Sequence, residues 1–171
     1  IVQCVAQAHL EVHAIVCAPL ASAVAALEED EKDLGCICID MGASSTTVAI
    51  FMGGTLIHVA SLNVGGGHVT ADIARGLSTT LAGAERLKTL HGSAIASSNE
   101  DRETVEAPPR GGGGGGAPIV VPRPILKGII APRVEEMFEL LREKIKASGL
   151  HFEPVAGIVL TDNFGWRWWT A

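Results

Sequence analysis

"CIDMGASSTTVAIFMGG", Cys38 to Gly54, joins two apolar runs through a bend that holds an acid, a glycine and four consecutive hydroxyl residues. On the near side, Cys36-Ile37-Cys38-Ile39 reads as a buried strand, and on the far side Val48-Ala49-Ile50-Phe51 reads as a second. Gly53-Gly54 then marks a tight turn, and Leu56 to Leu62 a third strand. Strand, polar bend, strand, Gly-Gly turn, strand predicts an antiparallel three-stranded meander. The bend admits two readings. Asp40 at the strand end, Gly42 at the turn and the hydroxyls of Ser44, Ser45, Thr46 and Thr47 suit a metal-bound polyphosphate: hydroxyls and turn N–H groups donate to phosphate oxygens while the acid holds Mg²⁺ or its water. Equally, a Ser/Thr-rich bend is an ordinary hairpin whose hydroxyls cap backbone groups.

Working outward, "IVQCVAQAHL" has helical spacing, "EVHAIVCAP" reads as a short strand ending at Pro19, and the Ala-rich stretch from Leu20 reads as one helix stopping at Gly35. Beyond the meander, "NVGGGHVTADIARGL" leaves the sheet through glycines into a helix, and "LAGAERLKTLHG" is a second helix closing at Gly92. Ser93 to Pro118 is polar and weakly patterned, with six consecutive glycines at 111–116, and reads as a flexible surface insertion. A phosphate-binding role for that run is disfavoured, because no strand leads into it and no Lys-Ser/Thr follows. Ile125, Ile129, Ile130, Val134, Phe138, Leu141 and Ile145 define an amphipathic helix, kinked or restarted at Pro132 and stopping at Gly149. Val155 to Thr161 is a final buried strand. All three tryptophans fall in 166–169, within a tail that reads either as an artefact at a truncated end or as an aromatic anchor for a partner.

The composition narrows the function. With 171 residues, 47% hydrophobic and a mean hydropathy of +0.32, one domain-sized aliphatic core is affordable on 4% aromatics. Thirteen basic against 19 acidic residues, with no basic run, argue against nucleic acid. Cys4, Cys17, Cys36 and Cys38 make no Cys-x-x-Cys pair, so reduced thiols packed as small hydrophobes are favoured over a metal or disulfide site. No apolar stretch approaches a membrane span. The chain opens at Ile1, already in helical pattern, and reads as a fragment.

"IDMGASSTTVAIFMGGTLIH" resembles the second phosphate loop of the actin-like ATPase superfamily, where two strands flank an Asp-x-Gly-Gly-Gly-Thr turn. "CVAQAHLEVHAIVCAPLASAVAALEEDEKDLG", "LNVGGGHVTADIARGL", "AERLKTLHG" and "ILKGIIAPRVEEMFELLREKI", in that order, are similar to the FtsA family of bacterial cell-division proteins over about Ile1 to Thr161. The resemblance implies an α/β fold, the second lobe of an actin-like (ribonuclease H-like) ATPase: residues 1–33 ending the first lobe, 34–92 the nucleotide-binding core with its meander, 93–150 a small inserted α+β subdomain with a flexible Gly-rich loop at 107–118, 151–161 a return strand, and 162–171 unmatched. It implies ATP and Mg²⁺ as cofactors. Asp40 would serve Mg²⁺ through water, Gly42, Ser44, Ser45 and Thr46 the phosphates, and Gly65 and Gly66 the phosphate side of the cleft. Glu85 and Lys88 would reach the ribose and adenine side, although three-residue spacing alone makes them a solvated ion pair. The family's second and third loop glycines are Ala43 and Ser44 here, which would be strained if those positions need positive φ.

The implied function is an actin-like scaffold, at most a weak ATPase, that polymerises and ties FtsZ filaments to the inner membrane at the division site. Docking of the FtsZ C-terminal tail is implied through the inserted subdomain. Membrane contact from the cytoplasmic side is implied only through a C-terminal helix outside this stretch. No obvious general base appears; His58 and His68, the histidines nearest the loop, read as structural partners. The alternatives are a sugar or acetate kinase-type phosphotransferase of the same superfamily, or an inactive truncated fragment.

Overall fold

The computed structural model describes residues 1–95, 103–109, 117–150 and 153–162. The meander forms as the pattern requires. β1 (Cys36–Met41) pairs antiparallel with β2 (Thr46–Met52), which pairs antiparallel with β3 (Thr55–Leu62). Gly53 and Gly54 make the two-residue turn with φ of 56° and 70°, a left-handed pair that a side chain would strain. The return strand β6 (Ile158–Asp162) adds parallel to the other edge of β1, giving the order β3-β2-β1-β6. β1 is therefore central, and its burial on both faces explains the unbroken apolar run at Cys36–Ile39.

Helices cover both faces of the sheet. On one face Cys36, Cys38, Ala49 and Phe51 pack with Ala23 and Leu27 from the segment that includes α2 (Ala18–Ala26). On the other, Ile37, Ile39, Met41, Val48, Ile50 and Leu62 pack against Met137 and Leu141 of α6 (Arg123–Ala147). A separate cluster joins α4 (Gly66–Gly76), α5 (Leu81–His91), a hairpin of β4 (Thr104–Ala107) with β5 (Ile119–Pro122), and the first half of α6. Its core is Val69, Ile73, Leu87, Val105, Val121, Leu126, Ile130 and Val134. This cluster spans both sides of the boundary expected at Gly92.

Four expectations are corrected. The segment after α1 (Val2–Gln7) is not a strand: 11–16 pairs with nothing among the described residues, and Ile15 and Val16 lie exposed. Apolar β-branched residues make a strand only where a ladder partner receives them. Pro19, read as that strand's end, instead occupies the first turn of α2. The single Ala-rich helix is two, α2 and α3 (Glu29–Leu34). Leu27 leaves helical geometry to bury against Cys36 and Phe51, and the Glu28 N–H donates to Glu31 Oε2 at 2.8 Å to restart the helix. The polar stretch 93–118 is not wholly without structure: β4, inside it, forms a ladder with β5, which follows it, because Val105, Ala107 and Val121 supply a buried face. Lastly, of the kink and the restart read at Pro132, the restart does not occur, because α6 runs through that residue as one helix. The glycine run and the Trp-rich tail lie outside the described residues.

Candidate functional site

Asp40 lies near the end of β1, flanked in register by Thr47 on β2 and Thr161 on β6, so the three side chains share one face of the sheet. That face is covered by α2. Ser22 Oγ donates to Asp40 Oδ2 at 3.1 Å, and Thr161 Oγ1 donates to Asp40 Oδ1 at 3.1 Å. Thr47 Oγ1 is buried with no hydrogen-bond partner. A buried hydroxyl left unpaired costs about 1–3 kcal/mol, so its place beside the carboxylate fits a site completed by water or ligand.

The loop after Asp40 is held from below. The Gly42 N–H donates to Ser45 O at 2.8 Å, closing the turn, and Thr46 Oγ1 donates to Val64 O at 2.8 Å. At the start of α4, the Gly66 N–H donates to Gly42 O at 2.9 Å and the Gly67 N–H to Ala43 O at 2.7 Å. The Gly65 N–H donates to His68 Nδ1 at 3.1 Å. The glycine run is what lets two backbones meet: a Cβ on Gly65 would lie 2.3 Å from Gly42 O. Ala43 and Ser44 do not have positive φ; among the described non-glycine residues only His9 and Ser78 do. The strain expected of them is absent, since this loop is shaped by contact with α4 and not by left-handed dihedrals.

α5 is tied to the same helix start. Lys88 Nζ donates to Gly66 O at 3.3 Å, to Thr70 Oγ1 at 2.8 Å and to Glu85 Oε2 at 2.6 Å, and Thr70 Oγ1 donates to Glu85 Oε2 at 2.5 Å. The Lys88 side chain is 3% exposed and that of Glu85 41%, which corrects the solvated-pair expectation drawn from spacing. Burial pushes the Glu85 carboxyl up, but the hydrogen bonds from Lys88 and Thr70 and the Lys88 charge outweigh it and hold the group below its ordinary value.

Asp40, Gly42, Ser44, Ser45, Thr46, Gly65, Gly66, Glu85 and Lys88 thus fall on one continuous path of covalent and hydrogen bonds. Their duties differ from the expectation. Ser44 is exposed and Ser45 half-buried at the loop tip, open to a ligand. Thr46 is fully buried and its hydroxyl is committed to Val64, so it anchors the loop and does not offer a phosphate donor. The amides of Gly65 and Gly66 are likewise committed to His68 and the loop. His68 serves as a helix-capping acceptor. His58 Nε2, on β3, is buried without a partner. Sequence reasoning missed Ser22, Thr70 and Thr161; nothing local marks them, because each acts across the fold. Among the described residues no group of three or more His, Cys, Asp or Glu gathers as a metal cage. One carboxylate beside hydroxyls suits a cation that keeps most of its water.

A four-stranded mixed sheet between helices, with a helix butted against the loop that leaves its central strand, is an actin-like fold. The solved MreB5 of Spiroplasma citri bound to ADP superposes with a TM-score of 0.72 at 19% identity, covering 94% of this chain and 52% of that one. The chain belongs to the FtsA family of cell-division proteins: the model described as "Cell division protein FtsA" matches residues 37–155. It is 47% identical to the cell division protein FtsA of Rhizobium meliloti (strain 1021) over 162 residues, 94% of this chain and 36% of that protein. With the cell division protein FtsA of Agrobacterium fabrum (strain C58) it shares 46% over 162 residues, again 94% and 36%. The chain spans a little over a third of the length of these curated relatives.

Proposed function

We propose that this chain supplies the second phosphate loop and adjoining lobe of an ATP-binding, actin-like cell-division scaffold. The observation that carries the reading is the loop 42–45, seated on the start of α4 with Asp40 at its root and Ser44 and Ser45 at its open tip. Ser44 and Ser45 would donate to phosphate oxygens, and Asp40 would hold the water shell of a Mg²⁺ ion. The ion would supply charge neutralisation of the polyphosphate. Glu85 and Lys88 belong to this site through the helix start they tie down.

In the whole protein we assign to this scaffold self-association into filaments and capture of the FtsZ C-terminal tail through the β4–β5 and α6 side. Its place would be the cytoplasmic face of the inner membrane at the division site. Family membership and the relatives' description as cell division proteins support this; among the described residues no helix is long and apolar enough to cross a membrane. The deciding experiment is calorimetric titration of the chain with Mg·ATP beside Asp40→Ala. Dissociation near about 1 μM, lost in the variant, is the expected result. Equal behaviour of the two proteins would remove the reading.

A further inference from the structure

The geometry points to Ser22 and Thr161 as positioning residues that fix the plane of the Asp40 carboxylate for a hydrated divalent cation, making α2 and β6 part of the phosphate site. This rests on the reading of Asp40 given above. An aspartate's last torsion joins tetrahedral and planar carbon and has no sharp preference of its own, so its carboxylate turns unless something holds it. Here each oxygen is held separately, Oδ2 by Ser22 and Oδ1 by Thr161, both at 3.1 Å. The donors come from different elements, one from the helix over the sheet and one from the neighbouring parallel strand. Each oxygen keeps lone-pair capacity for a second donor such as metal-bound water.

A second, independent observation lies on the same face. Thr47, directly across from Asp40 on the antiparallel strand, has a buried hydroxyl without a partner. Three hydroxyls therefore share this face with one carboxylate. Two are spent on orienting it, and the third is left over beside it, as expected where a water or ligand completes the set. Outer donors that orient a lone metal-facing group matter more when that group is the site's one carboxylate, because no neighbouring ligand corrects a misplaced plane. Ser22 also carries a consequence for α2. That helix is seated on the sheet by Ala23, so its hydroxyl couples the seating of α2 to the orientation of Asp40.

The test is titration of the chain with Mg·ATP, and with ATP in EDTA, for wild type, Thr161→Val, Thr161→Ser, Ser22→Ala and Asp40→Ala, with thermal melting of each as the fold control. Thr161→Val keeps shape and removes the hydroxyl; Thr161→Ser keeps the hydroxyl. Thr161→Val and Ser22→Ala are expected each to lose about tenfold in Mg·ATP affinity while binding of ATP in EDTA stays put, with Thr161→Ser close to wild type. If Thr161→Val melts below the assay temperature, Ser22→Ala carries the comparison. Wild-type affinity for Mg·ATP in both hydroxyl-free variants, with Asp40→Ala inactive, overturns the inference and leaves the site reading standing. Equal losses with and without Mg²⁺ also overturn it, since a purely structural role predicts that pattern. Absence of Mg²⁺-dependent binding in the wild type overturns both.

Discussion

Gly65 shows how much one absent methyl group decides. Its own φ of −160° is ordinary extended backbone, so glycine is not there for torsional freedom. It is there because a Cβ would sit 2.3 Å from Gly42 O and 2.8 Å from Ala43 O, both backbone atoms with no rotamer to yield. Gly65→Ala is therefore expected to push the loop off α4 and cost at least about 2 kcal/mol, read as a lower midpoint in urea unfolding. Ala43→Gly is the contrast. Ala43 does not have positive φ, so glycine relieves nothing there and only loosens the unfolded chain, lowering stability by about 0.5–1 kcal/mol. A gain in stability from Ala43→Gly would mean that the loop is strained after all.

Among the elements, the β1–β2–β3 meander was legible because its signals are local: short unbroken apolar runs, a Gly-Gly turn, and a polar bend between them. The α2–α3 break and the β4–β5 hairpin were not, because distant partners decide them. Leu27 abandons its helix for Cys36 and Phe51, and a four-residue strand exists only where its mate does. The site divides the same way. Asp40 and the loop announce themselves within a few residues, whereas Ser22 lies 18 positions and Thr161 121 positions from the carboxylate they hold. Lys88 is the clearest case of tertiary context overriding spacing, since Glu85 and Lys88 pair at three residues in either a wet or a dry setting. The dry setting has a pH signature. Glu85 titrates below its ordinary 4.5 in the folded chain, so its contribution to stability is complete above that value and disappears as pH falls through the lowered one. Thermal melts of wild type and Glu85→Gln should therefore differ most above the ordinary value of 4.5 and converge as the pH falls through the lowered one, where both lack the charge. Curves parallel across that range would show the carboxylate contributing no charge-dependent stability.

Across the whole molecule, α6 is the member common to two cores. Ile130 and Val134 belong to the cluster of α4, α5 and the hairpin, while Met137 and Leu141, two turns further on, belong to the sheet. Arg133 adds a link to α4, its Nε donating to Asp72 Oδ2 at 2.6 Å. If a single rigid helix transmits stability between the clusters, they open together, and slowly exchanging amides of β1–β2 and of α4–α5 report the same opening free energy. The seam lies at Glu135 and Glu136, both exposed, between Val134 and Met137. Proline at 135 removes a helix hydrogen bond and crowds the preceding turn, costing about 3 kcal/mol, yet takes no buried side chain away. Glu135→Pro should leave each cluster packed and break the coupling, so that hydrogen exchange divides into two groups of amides with different opening energies. A uniform drop at every slow amide would instead mean that the clusters are joined through the loop 42–45 and the start of α4, where Gly42, Ala43, Gly66 and Gly67 already bind sheet to helix. In that event the loop 42–45 itself would be the mechanical joint between the two clusters.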